Sequence, residues 1–141
     1  MNKILLTVFM FFPMIVSAQK ISKSDLNGTW IVIDGKITSD ELPADTKKMM
    51  TVMIDGFRKS TWNFNEGGNF RIKFKPNASD FMKEMMFLDN KQWEFIDSIQ
   101  QIRIGTKNDN YNHLVLRVKR GDSGMNIYFS DTPIYLTLKE E

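Results

Sequence analysis

Ten methionines occur in this chain, and six of them fall in two short stretches, "KKMMTVMIDGF" and "FMKEMMFLD". Met49, Met50 and Met53 belong to the first, and Met82, Met85 and Met86 to the second. Thioethers are soft ligands suited to Cu(I). Met49 with Met53, and Met82 with Met86, have the four-residue spacing that shares a helix face. The same side chains also adapt their shape to irregular apolar contacts. Their neighbours are Ile54, Phe57, Phe81 and Phe87. Thr46, Met49, Met50, Met53, Ile54 and Phe57 follow the stripe of an ordinary core-facing helix. The pattern therefore favours packing over metal, and no metal or other cofactor is expected. It leaves open whether the methionines form a lid over an apolar cavity or fill a core.

Other residues that could do chemistry are sparse. Gly121–Asp122–Ser123–Gly124 spells the nucleophile motif of trypsin-like proteases. Such a serine needs a histidine base and an orienting carboxylate within hydrogen-bond reach. His113 is the single histidine and lies ten residues earlier on the adjoining strand. Gly, Asp and Ser are what a hairpin turn requires, so "GDSG" reads as a turn. One imidazole without His or Cys partners is not a metal site; His113 reads as a surface or mouth residue. Asp34, Asp40, Glu41 and Asp45 surround a loop and a helix start, where acids complement the helix dipole. No phosphate-binding loop or dinucleotide fingerprint occurs. The chain is read as a non-enzyme.

At 141 residues the chain has room for one domain. With no cysteine, disulfides, thiolate catalysis and Cys-ligated metals are excluded. Its first residues read as an export signal. Lys3 gives a positive start, Ile4–Val16 is apolar apart from Thr7 and Pro13, and "VSA" offers small residues for cleavage after Ala18. The expected organisation is a signal peptide over 1–18 and one domain over 19–141. The product would be exported, periplasmic or secreted, with no transmembrane segment in the mature chain. Loss of Lys3 lowers the formal charge from +2 to +1. A nearly balanced domain offers no electrostatic case for nucleic acid.

The elements that must position these residues are mostly strands. "NFRIKFK", "NHLVLRVKR" and "PIYLTLK" alternate apolar and polar residues. Period two with one apolar face means half-buried antiparallel strands. "NEGGN", "TKNDNYN", "GDSG" and "SDTP" punctuate them as turns. Strands are expected over Gly28–Ile37, Ser60–Asn65, Asn69–Lys75, Lys91–Ile96, Gln100–Gly105, His113–Arg120, Met125–Ser130 and Ile134–Lys139. Short turns imply nearest-neighbour pairing. Closing such a meander into a barrel removes its two exposed edges; a two-sheet sandwich has the same strand count. A helix starting at Pro43 or Asp45 carries the first methionine cluster between strands one and two. One or two helical turns capped by Ser79 carry the second.

Gly28–Thr29–Trp30 opens the first strand as a G-x-W. "WNFNEGGNF" (Trp62–Phe70), the Trp93–Phe95 strand and the alternating apolar tail follow it. In these features the chain resembles the small lipocalin-like domains of bacterial envelope proteins, which are calycin-type barrels. The resemblance spans nearly all of the mature chain. It implies an all-β, eight-stranded antiparallel up-and-down barrel, with Gly28 and Trp30 as the structural motif and the tryptophan plugging the closed end. It also implies binding of a small hydrophobic molecule.

By strand parity and helix face, the lining would come from Met49, Met50, Met53, Phe57, Trp62, Phe64, Phe70, Ile72, Phe74, Trp93, Leu116 and Phe129. That is a large aromatic volume for eight strands, whose interior is just wide enough for side chains. The alternative is thus a filled barrel, acting through its outer surface and loops as an envelope protein-interaction or inhibitor module. Arg103 and Arg117, outward on neighbouring strands, would face an acidic partner.

Overall fold

The computed structural model describes residues 19–141; the expected signal and its cleavage point lie outside the described residues. Eight strands form one closed antiparallel barrel in chain order. They are β1 (Gly28–Ile37), β2 (Thr61–Phe64), β3 (Asn69–Lys73), β4 (Lys91–Ile96), β5 (Gln101–Gly105), β6 (Leu114–Gly121), β7 (Gly124–Phe129) and β8 (Ile134–Glu140). β1 pairs with β2 on one side and β8 on the other, which closes the ring. The sandwich is thereby set aside. The observed bounds follow the alternation to within one or two residues, because each strand buries one parity of its side chains.

Among the described residues, three α-helices accompany the barrel: α1 (Lys23–Leu26), α2 (Ala44–Phe57) and α3 (Asp80–Glu84). α2 joins β1 to β2, where the methionine stripe requires it. Its buried face holds Met50, Ile54 and Phe57. α3 is capped by the Ser79 hydroxyl, which accepts from the Met82 amide at 3.3 Å, and continues as a 3₁₀ turn over Met85–Leu88. α1 is one turn that hydrophobic periodicity does not reveal. A local signal for it exists: Ser22 and Asp25 form a capping box, each side chain bonded to the other's backbone amide.

One strand breaks parity. The β1–β8 register shifts between Val32 and Asp34, so Ile33 is an extra residue and stands exposed. Such a bulge bends the strand and increases its twist. After it, Gly35 rather than a larger residue faces inward. A Cβ there would lie 2.8 Å from Ile54 Cγ2 and 2.8 Å from Leu136 Cδ2. The glycine thus lets α2 lie down on β1 and β8.

Candidate functional site

The barrel interior gathers most of the expected lining. Trp30 faces Trp62, Trp62 faces Ile72, and Phe64 faces Phe70 across the β1–β2 and β2–β3 ladders. Leu116 faces Phe129 across β6 and β7. Phe57, Trp62, Phe64, Phe70 and Leu116 are fully buried; Ile72, Trp93 and Phe129 nearly so. The rings touch in a continuous series. Trp93 meets Phe64 at 5.1 Å between centroids, Phe64 meets Phe70 at 5.2 Å, and Phe70 meets Trp62 at 5.8 Å. Trp62 then meets Phe57 at 5.8 Å, and Phe57 also reaches Phe74 at 5.8 Å and Phe129 at 5.6 Å. Tilted and edge-to-face arrangements at these separations are the favoured aromatic geometries.

Phe57 is therefore the hub at the α2 end, although it belongs to the cap helix and not to a strand. Ser60 fixes the chain just after it. The Ser60 hydroxyl donates to the Phe57 carbonyl at 2.5 Å and accepts from Trp62 Nε1–H at 3.0 Å. Phe74 lies just past the observed end of β3, yet its ring still packs on Phe57.

The methionines divide. Met50 is buried and Met53 half-buried against the core. Met49, expected to line the interior, instead stands about half exposed. The helix turns it toward the Val52 and Gly56 side, away from Ile54. From the second cluster Met82 is fully buried on Gly56 of α2. A Cβ at Gly56 would lie 2.2 Å from Met82 Cγ and 2.5 Å from its Sδ. The glycine that weakens α2 as a helix is thus what lets the two methionine segments meet.

At the opposite end Trp30 seals the barrel. Its Nε1–H donates to the Leu26 carbonyl at 2.9 Å, which ties it to α1. Gly28 and Gly124 both have positive φ, and a Cβ at Gly124 would lie 2.6 Å from the Leu138 carbonyl oxygen. Gly28 and Trp30 of the G-x-W thus lie at the start of β1, beside α1 and the β6–β7 hairpin.

The seam between β3 and β4 is thin, paired only at Asn69–Gln92 and Phe70–Lys91. Asp89 fills the gap above. Its Oδ1 accepts from the Ile72 amide at 3.0 Å and from Arg71 Nε at 2.9 Å, and its Oδ2 from the Arg71 terminal nitrogen at 3.3 Å. Partial burial pushes this carboxyl up, but the Arg71 and backbone bonds outweigh it and hold it below the ordinary 3.8.

"GDSG" closes the β6–β7 hairpin, with Gly121 paired to Gly124. His113 sits just before the other end of β6, so the length of that strand, roughly 26 Å, separates it from Ser123. The histidine instead meets Asp109 at 2.8 Å and packs edge-on against Phe87. The Thr106 hydroxyl and then His113 hold the Asp109 carboxyl below 3.8.

Among the described residues, the surface clefts include three that are not lined by Trp62, Phe64, Phe70, Ile72, Trp93 or Leu116. The largest of these three, a groove of about 1110 Å³, runs between the first described residues, the corner before β5 and the end of β6. Lys20, Ile99, Gln100, Arg117, Lys119 and Arg120 line it. Gln100 organises one wall. Its side-chain oxygen accepts from the Ile21 amide at 2.8 Å and its amide donates to the Ile21 carbonyl at 3.0 Å.

Arg117 stands out in the sequence as an outward cation, whereas Lys20, Lys119 and Gln100 do not, because nothing local shows that residues 20, 100 and 119 meet. Arg103, expected outward beside Arg117, is half-buried, with Glu94 at 4.0 Å. Compared with family models, curated proteins and solved structures, the chain matches none.

Proposed function

We propose that this is an exported, non-catalytic, lipocalin-like barrel that acts through its outer wall and loops, with its interior occupied by its own side chains. Phe57 carries this reading. It sits among Trp62, Phe74 and Phe129, where a ligand entering from the α2 end would have to lie. The external position of the 1110 Å³ groove agrees with it. The distance between Ser123 and His113 supports the absence of a serine hydrolase centre, and the N-terminal pattern supports export to the periplasm or beyond. Protein purified from an exporting host should give a native mass equal to that of the polypeptide beginning at Gln19. Solvent extraction should yield no stoichiometric lipid.

A second reading keeps the small hydrophobic ligand inside, and one observation favours it. The plug belongs to a helix with a soft methionine face, so α2 could move and carry Phe57 out. Saturable one-to-one binding of a fatty acid or hydrophobic dye, with faster amide exchange in α2, would establish this reading and displace the first.

A further inference from the structure

The outer wall of the barrel carries a row of tyrosines flanked by cations that neither the fold nor the aromatic core requires. Ladder pairing places Lys36 beside Tyr135, Tyr135 beside Tyr128, Tyr128 beside Arg117, and Arg117 beside Gln101. The row thus crosses five neighbouring strands. Its four steps, at about 4.8 Å between strands, make roughly 19 Å at the backbone. The two tyrosines pack edge to face at 4.8 Å. Lys36 Nζ lies 4.8 Å from the Tyr135 ring centre, and Lys119 Nζ lies 5.5 Å from that of Tyr128. The rings act as cushions that hold ammonium groups in place.

At the Gln101 end the row runs into the large groove, where Lys20, Lys119 and Arg120 join Arg117 and Asp122 is the one acidic lining residue. Arg120 is paired with Asp25 at 3.0 Å. Among the described residues, Lys36, Arg117 and Lys119 have no carboxylate within ion-pair distance.

We propose that this row and groove form a binding track for an acidic polysaccharide, a flexible chain of carboxylate-bearing sugars. The inference rests on the outer-wall reading and names its partner. Three observations select this class. Lys36 and Arg117, three strand steps or about 14 Å apart in the row, with Lys119 two residues along β6 from Arg117, are spread too widely for a single small anion and fit a chain of spaced anions better. The row spans four of the eight steps around a closed barrel, so it bends around half the circumference. A bilayer surface would touch only part of such an arc, whereas a flexible polymer can follow it. Finally, lysines lie over both tyrosine rings, so the track does not present the open ring faces on which nucleic acid bases stack. It offers ammonium, guanidinium and phenol donors, which suit carboxylate and hydroxyl groups.

The probe is a hexameric uronate oligosaccharide, titrated calorimetrically into the purified protein at about 0.15 M ionic strength. Arg117→Gln with Lys119→Gln should weaken binding by about tenfold, the loss of two exposed charge contacts. Lys47→Gln with Lys48→Gln removes the same charge from α2, off the track, and should change affinity by less than about twofold because distant exposed charges are screened. Tyr135→Ala, which removes the cushion under Lys36, should fall between the two. Thermal melts confirm that each variant is folded.

Equal weakening by both double variants would reduce the effect to net charge and overturn the track. Absence of uronate binding, or tighter binding of a hexaglutamate peptide, single-stranded DNA or phosphatidylglycerol vesicles, overturns the polysaccharide assignment. A lipid recovered from the interior would overturn the filled-barrel reading and leave the outcome of this titration unchanged.

Discussion

At the end where β1 begins, Trp30 is held by a one-turn helix immediately before it in sequence, through the bond to the Leu26 carbonyl. At the other end, α2 carries Phe57 into the interior, and Met82, 26 residues after Gly56, locks that helix through it. The first seal is short in sequence and polar at its anchor. The second is long in sequence and mostly apolar in its packing, with polar ties only at the helix's C-terminal end, where Ser60 bonds the Phe57 carbonyl and Lys75 the Asp55 carbonyl. A tryptophan hydrogen-bonded to its neighbour is rigid and specific, whereas thioether packing is adaptable. The β3–β4 seam is also thin on the cap side, with Asp89 doing the work of missing ladder bonds. Any opening of this barrel is thus expected at the α2 end.

The largest test of that contrast is Phe57→Ala. Removing the hub ring should cost about 3–5 kcal/mol in denaturant unfolding. It should also leave a dry apolar cavity able to bind a small aromatic such as benzene. Benzene-induced stabilisation in this variant and not in the parent would locate the weak end; its absence would mean that the cap collapses to fill the space.

Gly56→Ala comes next. Alanine normally strengthens a helix by up to about 1 kcal/mol over glycine. Here the new methyl meets Met82, so a net loss of about 2 kcal/mol is expected from overpacking. Combining it with Met82→Ala should cost less than the sum of the two single changes, as for any directly coupled pair. Strict additivity would remove Met82 from the lock.

Trp30→Phe probes the closed end and should cost about 1–2 kcal/mol, mainly because the Leu26 carbonyl loses its buried donor. It should create no benzene site.

Asp89→Asn should cost about 1 kcal/mol, a modest figure because Arg71 is more than half exposed. The sign of its pH dependence follows from the depressed carboxyl. Asp89 titrates lower in the folded barrel than the ordinary 3.8, as do Asp25 and Asp109. The stability these groups add is therefore complete above 3.8 and is lost as pH falls through their folded values. Urea midpoints should hold steady from neutrality down to about pH 5 and then decline, with a shallower decline in Asp89→Asn. An unchanged slope would show that Asp89 is not the group that guards the seam.

Much of this architecture is legible in the chain. Phe70 and Ile72 alternate with Arg71 and Lys73, and Leu116 and Val118 with Arg117 and Lys119, so the inward parity of β3 and β6 follows from the pleat. "NEGGN" and "GDSG" mark hairpins because glycine accepts the backbone angles such turns need. The stripe through Met50, Ile54 and Phe57 places α2 and its buried face. Met49 escaped this reasoning because it lies at the edge of the stripe, where a small rotation of the helix decides between core and solvent. Ile33 escaped because a bulge shifts register without changing composition.

Apart from Met49 and Ile33, what the sequence by itself determined is which residues turn inward, since that depends on periods of two and 3.6 residues within each element. Only the tertiary structure decided what those residues meet. Phe57 fills the space between Trp62, Phe74 and Phe129, Met82 docks on Gly56, and Gln100 clasps Ile21 from 79 positions away. Lys36 joins the row that runs through Arg117 to Gln101 only because the barrel closes. Such meetings depend on the shape and volume of side chains brought together by closure, which no local repeat in the chain encodes.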